Sequence, residues 1–228
     1  MIRLGITGTD TGVGKTLVAA ALVWLLRRKG LRIAAMKPVE TGKGDDAVRL
    51  WHVAGANDAQ EDVCPIRFDE PLAPMVAAAR AGRPIDIATL DAAFVRLSTG
   101  RDAIVVEGAG GLLVPLTETL AFDGLFRRWG LDLILVAGNR LGVINHTLLT
   151  LQAAHAAGLT VRAIVLSTLQ PGQPNVAERT NLDTLRQLAG VPVLPLPYVR
   201  SPAAAASAFE PFAAALAAGR PVSLSPTV

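Results

Sequence analysis

Short apolar runs alternate with longer amphipathic or alanine-rich stretches along the chain. Each apolar run predicts a buried strand, because a strand that is covered on both faces is hydrophobic without interruption. The predicted strands are 2–7, 32–36, 104–106, 131–137, 161–167 and 191–196. The predicted helices are 16–29, a short helix from Asp45 or Asp46 to about 54, 71–81, 86–98, 120–129, 143–157, 175–189 and 203–218. The remaining segments are a polar loop at 39–44, an irregular stretch at 55–70 and a loop from 219.

Strands in regular alternation with helices are typical of a mostly parallel β-sheet flanked by helices. Right-handed crossovers bring the C-terminal ends of the strands to one edge, where open α/β sheets bind their ligands. The polar and glycine-rich segments fall at that edge, and they are 8–16, 37–42, 107–111, 138–142, 167–170 and 197–201. Because the 228 residues show no internal repeat and no low-complexity linker, we expect a single α/β domain, 1–228.

The first of these segments, GTDTGVGKT at 8–16, lies between the first strand and the first helix. A glycine-rich turn ending in Gly-Lys-Thr at such a junction is typical of a phosphate-binding loop, since backbone N–H groups converge there and the helix N-terminus attracts an anion. Lys15 adds a charge for the β- and γ-phosphates, and the Thr16 hydroxyl can ligate Mg²⁺. Five residues separate Gly8 from Gly14, one more than is usual, so the loop is a variant. We therefore predict a P-loop NTPase-like fold.

Composition narrows the classes of protein. The net charge is +3 and the arginines are scattered, so nucleic-acid binding is not indicated and an anionic small ligand fits better. The mean hydropathy is +0.40, yet no apolar run reaches the roughly 20 residues of a membrane-spanning helix. The first strand begins too early to leave room for a signal peptide, so we expect a cytoplasmic protein with no nucleic-acid or membrane partner.

The cysteine and the histidines indicate neither a disulfide, nor a metal site, nor a catalytic nucleophile. Cys64 is the only cysteine, so it forms no intrachain disulfide, and we expect an inert, packed thiol. The three histidines show no metal-ligand spacing, and no Ser-His or Cys-His arrangement for nucleophilic catalysis is visible.

Two carboxylates and one lysine stand at strand ends where they could act on a bound nucleotide. Glu107 ends an apolar strand, and Asp46 follows the loop after the second strand. With Thr16 they suit Mg²⁺, which takes few protein ligands besides phosphate oxygens and water. Asp46 could instead cap a helix, and its neighbour Asp45 leaves the choice of ligand open. Lys37, between an apolar strand and a proline, can neutralise a developing anion or a transferred phosphoryl group.

The chain closely resembles the dethiobiotin synthetase family. The motifs that carry the resemblance are GTDTGVGKT at 8–16, MKPVETG at 36–42, VEGAGG at 106–111 and LGVINH at 141–146. They occur in family order and spacing from residue 5 to about 200, which is nearly the whole domain.

The resemblance implies a reaction and its participants. The family uses ATP and Mg²⁺ to close 7,8-diaminononanoate with CO₂ into the ureido ring of dethiobiotin. An amine of the substrate forms a carbamate, the γ-phosphoryl group is transferred to it, and the second amine attacks the resulting carbamic–phosphoric anhydride. The resemblance also implies a homodimer. Such a reaction needs no protein nucleophile, so positioning and charge neutralisation would carry most of the rate.

The resemblance also implies roles for individual residues. Lys37 and Lys15 are the expected catalytic residues, and Thr16, Asp46 and Glu107 are the expected metal ligands. The expected nucleotide contacts are Gly12, Val13, Gly14, Lys15, Thr16, Leu17, Asp46, Glu107, Gly108, Ala109, Gly110, Ser167, Thr168, Pro197, Tyr198 and Val199. The expected substrate contacts are Thr11, Lys37, Thr41, Gly142 and Asn145. The last two open a helix whose N-terminus, in the family, binds the substrate carboxylate from the other subunit, which agrees with anion binding at helix starts.

Three departures from the family pattern are visible. Ser167-Thr168 stand where the family often has Asn-Asp, and a serine lacks the paired donor and acceptor of an amide. Gly12 stands where glutamate is common, and the loop 43–46 is shorter than in many members. These departures put base selectivity in question, and we expect modest discrimination against triphosphates other than ATP.

Two other classes of protein compete with this interpretation. A ParA/MinD-type switch ATPase carries a second lysine early in the loop, where this chain has Thr9, Asp10 and Thr11. A ligase of the cobyrinate amidase kind would need a glutaminase domain with a catalytic cysteine, and Cys64 has no suitable context.

Overall fold

The computed structural model describes residues 1–217, so the predicted loop from 219 and the last residue of the predicted helix 203–218 lie outside it. The elements in chain order are β1 (Ile2–Gly8), α1 (Lys15–Arg28), β2 (Ile33–Met36), β3 (Val39–Thr41), α2 (Asp46–Ala54), α3 (Gln60–Val63), β4 (Ile66–Phe68), α4 (Pro74–Arg80), α5 (Ile87–Ser98), β5 (Ala103–Gly111), α6 (Phe122–Arg128), β6 (Asp132–Gly138), α7 (Val143–Ala156), β7 (Val161–Ser167), α8 (Val176–Leu188), β8 (Val193–Leu196), α9 (Pro202–Ala206), a 3₁₀ turn (Ser207–Phe209) and α10 (Glu210–Ala217).

Six parallel strands form the central sheet in the order β2-β5-β1-β6-β7-β8. This confirms the predicted α/β fold, and each predicted strand lies in this sheet. β1 lies between β5 and β6, so the loop 8–16 emerges in the middle of the C-terminal edge. The segments that follow β2 and β5 emerge beside it, which determines the neighbours of any bound phosphate.

The predictions for 39–44 and 55–70 were wrong in part. The first contains β3, and the second contains α3 and β4. β3 and β4 form a separate two-stranded parallel sheet in which Glu40 is paired with Arg67. Strands of three residues are too short to show a period of two, and they exist here because the two segments pair with each other.

The predicted end of β5 at Val106 was also wrong. The strand continues through the glycines to Gly111, which is paired with Gly8 of β1 after an irregularity in the ladder. The predicted helix 203–218 is divided into α9, the 3₁₀ turn and α10. Pro211 explains the division, because proline is accepted in the first turn of a helix but not in its interior.

Two hydrophobic clusters cover the two faces of the sheet. On one face α1 packs with the C-terminal helices through side chains such as Leu22, Leu26 and Phe209, all of which are buried. On the other face α5 to α8 pack through side chains such as Phe122 and Phe126. Within residues 1–217, no helix combines the length and the apolar character that crossing a membrane requires.

Cys64 lies in the interior, as the sequence predicts for an inert thiol. It is 4% exposed, and burial raises the pKa of its thiol to about 12. The thiolate is the reactive form, so we expect the native protein to react with a disulfide reagent at pH 8 about 100-fold more slowly than the urea-unfolded chain. Equal labelling rates in the two states would contradict this packing.

Candidate active site

The loop 8–16 turns directly from β1 into α1. Gly14 caps the helix with φ of 98°, a conformation that favours glycine. A Cβ atom at this position would lie 3.1 Å from Ser167 Oγ, so the loop also packs tightly against the end of β7. The first N–H groups of α1 have no partners within the helix and suit an anion.

Lys15 lies folded back over this loop. Its ammonium donates to the carbonyl oxygen of Asp10 at 2.8 Å, and its side chain is largely buried. Burial, together with the positive charge of Lys37, lowers the pKa of Lys15 to about 8. The Asp10 carboxylate forms an ion pair of 2.6 Å with Arg140, which ties the loop to the segment after β6. A triphosphate bound to the loop would supply the negative charge that favours the charged form of Lys15.

Strand register brings Lys37 and Glu107 together. Met36 at the end of β2 is paired with Val106 of β5, so the residues that follow them, Lys37 and Glu107, lie at the same level of the sheet. Lys37 Nζ lies 2.6 Å from Glu107 Oε1 and 3.2 Å from Asp46 Oδ2, and it also donates to the carbonyl oxygen of Gly108 at 3.3 Å. Burial opposes the charge of Lys37, but the two carboxylates hold the pKa of its ammonium above the usual value.

Glu107 offers one oxygen that no protein group uses. Its Oε1 accepts from the Thr16 hydroxyl at 2.9 Å and from Lys37, whereas Oε2 is buried and accepts no hydrogen bond. A free carboxylate oxygen beside a hydroxyl and a second carboxylate fits a hard cation such as Mg²⁺. Among residues 1–217, no cluster of three or more His, Cys, Asp or Glu side chains forms a metal site. One hydroxyl and two carboxylates are few ligands, so they suit a metal that fills the rest of its shell with phosphate oxygens and water.

The structure separates Asp46 from Asp45. Asp46 approaches Lys37, and the positive charge of that lysine lowers the pKa of Asp46 although burial opposes the shift. Asp45 instead forms an exposed ion pair with Arg49 at 2.8 Å. Of the two carboxylates, Asp46 is the one that faces Lys37 and Glu107.

Two cavities lie at this edge of the sheet. The smaller has a volume of about 170 Å³ and is lined by Thr11, Gly12, Lys15, Lys37, Glu40, Thr41, Gly44, Asp46, Ala109 and Gly110. The larger has a volume of about 700 Å³ and is lined by Thr16, Leu17, Ala20, Arg49, His52, Val53, Val199, Arg200 and Pro202. The first has the size and the charges for a small polar reactant, and the second adjoins the start of α1, where a nucleotide would extend from its phosphates.

Other residues predicted for the nucleotide lie around these cavities. Val13 is buried in the core beneath the loop. Ser167 is buried at the end of β7, and the Thr168 N–H donates to the carbonyl oxygen of Leu196 at 2.9 Å. Pro197 follows β8, and the Tyr198 hydroxyl accepts from Arg200 at 3.1 Å. The residues at the ends of β7 and β8 therefore lie at the C-terminal edge of the sheet without lining the larger cavity. Val199, the residue after Tyr198, does line it.

Gly142 and Asn145 lie at the start of α7 and line neither of these cavities. Gly142 caps the helix with φ of 92°, and Asn145 is exposed to solvent. In a single chain they therefore form no part of the pocket around Lys37.

Sequence reasoning missed Glu40 and Arg140. Glu40 is buried in the wall of the smaller cavity, but its position within a short polar segment gave no sign of burial. The pair of Arg140 with Asp10 links residues far apart in the chain, so only the fold reveals it.

Solved structures with the same architecture include nucleotide-dependent ATPases. The septum site-determining protein MinD from Pyrococcus horikoshii, complexed with Mg-ADP, has a TM-score of 0.60 and 18% identity over 95% of this chain and 98% of that chain. The cell division ATPase MinD from Pyrococcus furiosus has a TM-score of 0.62 and 17% identity over 96% and 99%. At this identity the likeness shows the fold, a P-loop NTPase fold, and nothing about activity.

Sequence relatives are much more similar. The ATP-dependent dethiobiotin synthetase BioD of Thermodesulfovibrio yellowstonii is 38% identical over 85% of this chain and 88% of its own length. The protein of that name from Anaeromyxobacter dehalogenans is 42% identical over 84% of this chain and 90% of its own length. The AAA domain family AAA_26 matches residues 3–202. Together with the geometry at the sheet edge, these matches show that the chain belongs to the ATP-dependent dethiobiotin synthetase family.

Proposed function

We propose that this protein uses ATP to close 7,8-diaminononanoate with CO₂ into the ureido ring of dethiobiotin. Membership of the family supports this reaction. The observation that carries it is the buried Lys37 ammonium, which is held between Glu107 and Asp46 at the end of β2. Only β5 lies between β2 and the strand that leads into the phosphate-binding loop.

The chemistry proceeds in three steps. An uncharged amine of the substrate adds to CO₂ and loses a proton, which gives a carbamate. A carbamate oxygen then attacks the γ-phosphorus of ATP, the bond from that phosphorus to the bridging oxygen breaks, and ADP leaves. Finally the uncharged second amine attacks the carbamoyl carbon and loses a proton, the carbon–oxygen bond breaks, and phosphate departs with the carbamate oxygen. The reactants and leaving groups are anions, so fixed cations and backbone N–H groups lower the barriers.

The chain's own residues divide this task between two cations. Lys15 and the N–H groups of Gly12 to Leu17 bind the triphosphate at the start of α1. Lys37 lies in the wall of the smaller cavity, where its ammonium can neutralise the carbamate and the phosphoryl group during transfer. Because the carboxylates fix Lys37 in place, little reorganisation is needed when the negative charge develops.

Thr16, Asp46 and Glu107 are the residues that we propose to hold Mg²⁺. When bound, the ion supplies charge neutralisation and alignment for the β- and γ-phosphate oxygens. The free Glu107 Oε2 supports this assignment, because a buried carboxylate oxygen without a partner costs stability unless a cation or a donor meets it.

We also propose which residues contact the diamine substrate, and that a second subunit contributes some of them. Thr11 and Thr41 line the smaller cavity beside Lys37 and can hydrogen-bond the substrate. Gly142 and Asn145 are exposed at a helix start, which suits recognition of the substrate carboxylate from a second subunit of a homodimer.

A product assay tests the proposed function directly. Purified protein with diaminononanoate, bicarbonate, Mg²⁺ and ATP should form dethiobiotin and phosphate in equal amounts, and omission of any one component should stop both. ATP turnover that DNA or lipid stimulates, without any response to the diamine, would instead identify a switch ATPase.

We predict modest selectivity for the nucleotide base. Ser167 replaces an amide side chain in the family pattern, and it is buried against Gly14, so it offers the base little specific hydrogen bonding. A kinetic panel of ATP, CTP, GTP and UTP should give ratios of kcat/KM below about 1000-fold. A larger preference for ATP would refute this prediction.

A further inference from the structure

Glu40 is a buried carboxylate to which the steps above assign no task. It lies on β3 and is 3% exposed. Its Oε1 accepts from the backbone N–H of Ala47 at 3.1 Å, and Arg67 Nη1 lies 2.6 Å from Oε2 across the β3–β4 pair. That contact is not an aligned hydrogen bond, since Oε2 accepts none. Burial of a carboxylate is costly, so the site depends on its contacts with Ala47 and Arg67.

The hydrogen bond to Ala47 supplies a cap that α2 otherwise lacks. Asp45 occupies the N-cap position, but its side chain accepts no hydrogen bond from the backbone N–H groups of the first turn and pairs with the Arg49 side chain instead. Glu40, from a different element, accepts the free N–H at the second position of the helix instead. A negative charge at this end of a helix is also favoured by the helix dipole.

This cap closes a ring of contacts around the smaller cavity. Lys37 and Glu40 are three residues apart on either side of Pro38. Glu40 holds the Ala47 N–H, and the preceding residue, Asp46, returns to Lys37 at 3.2 Å. Lys37, Glu40 and Asp46 all line the cavity. The direction of the Asp46 side chain therefore depends on where Glu40 fixes the first turn of α2.

We propose that Glu40 is a positioning residue that orients Asp46 for the metal and for Lys37. This inference rests on the proposed function, in which Asp46 is a metal ligand. Glu40 acts through the Ala47 N–H, so an acceptor oxygen at the right distance is what the site requires. Groups that orient a metal ligand typically change metal affinity by about 10–100-fold when they are lost.

Direct metal binding separates this role from general stabilisation. Mn²⁺ is titrated into the protein with a non-hydrolysable ATP analogue, and free Mn²⁺ is measured by electron paramagnetic resonance. Glu40→Ala removes the acceptor, and Glu40→Asp keeps the charge but is one methylene too short. We expect both to weaken Mn²⁺ binding about tenfold, whereas Glu40→Gln, which keeps the acceptor, stays within about threefold of the wild type. The Glu40→Asp and Glu40→Gln pair suffices if Glu40→Ala does not fold.

Two further variants complete the design. Asp86→Ala removes the side-chain cap of α5 at a residue that does not line the smaller cavity, and it should lower the melting temperature without changing Mn²⁺ affinity. Asp46→Asn should weaken Mn²⁺ binding by itself.

Three outcomes would contradict the positioning role of Glu40, and they differ in what they imply for the proposed metal site. Unchanged Mn²⁺ affinity in Glu40→Ala and Glu40→Asp, with a loss in Asp46→Asn, would overturn the positioning role and leave the proposed function intact. A Glu40→Gln variant as weak as Glu40→Asp would also overturn it, because the hydrogen bond would then not be the cause. Full affinity in Asp46→Asn would overturn the metal assignment and the inference together.

Discussion

Replacement of Lys37 by glutamine should lower kcat about 100- to 1000-fold, while the dissociation constant for ATP stays within about threefold of the wild type. The ammonium lies in the wall of the smaller cavity and is not part of the phosphate-binding loop. Glutamine can still donate to Glu107, but it brings no positive charge to the carbamate and the phosphoryl group. Steady-state kinetics and equilibrium titration with a nucleotide analogue measure the two quantities separately.

Lys43→Gln is the matched control for this variant. Lys43 is exposed in the loop before α2 and lines neither cavity at this edge, so the same chemical change should leave kcat unaltered. Wild-type turnover in Lys37→Gln, or a loss of ATP binding as large as the loss of kcat, would show that Lys37 has a different role.

Replacement of Glu107 by glutamine should reduce both stability and activity. The carboxylate is 1% exposed and bonds Lys37 at 2.6 Å and Thr16 at 2.9 Å. Removal of one partner from a buried ion pair costs about 3–5 kcal/mol, because the remaining charge stays buried. For a domain of this size that corresponds to a fall in melting temperature of about 6–20 °C. With a proposed metal ligand lost as well, we expect kcat/KM to fall about 100-fold or more.

Two controls distinguish these effects in calorimetry and kinetics. Asp46→Asn removes a proposed metal ligand whose side chain is 37% exposed, so activity should fall with a much smaller change in melting temperature. Glu70→Gln breaks the exposed pair with Arg80 and should change stability by less than about 1 kcal/mol and activity not at all. A Glu107→Gln protein that melts and turns over like the wild type would contradict the arrangement described for the pair.

The sequence predicted the parts of the fold that local pattern determines. Each predicted strand is present because an uninterrupted apolar run can be buried only between two layers of helices. The position of the phosphate loop followed from glycine and lysine chemistry at a strand–helix junction. The pattern could not give β3 and β4, whose three residues each carry no period and depend on mutual pairing.

In the candidate site, too, local sequence predicted where residues lie but not which residues they contact. The sequence could place three residues at the C-terminal edge of the sheet, Lys37, Asp46 and Glu107, because each lies at or after the end of a predicted strand. Their contacts with one another depend on the β2–β5 register, which the sequence does not show. The sequence placed Glu107 at the end of an apolar strand, but it gave no sign that the strand continues through the glycines that follow, since glycines normally interrupt a strand. Glu107 is paired with Ile6 of β1, which fixes its place in the sheet, and after an irregularity the pairing resumes at Gly111.

Oxygen transfer from bicarbonate to phosphate tests the central claim most directly. With ¹⁸O-labelled bicarbonate, unlabelled ATP and the diamine, a carbamate that accepts the γ-phosphoryl group must deliver one labelled oxygen to each phosphate released, which mass spectrometry detects alongside dethiobiotin. We predict one ¹⁸O atom per phosphate at early times, before bicarbonate exchanges with water. Dethiobiotin that accumulates together with unlabelled phosphate would contradict the account.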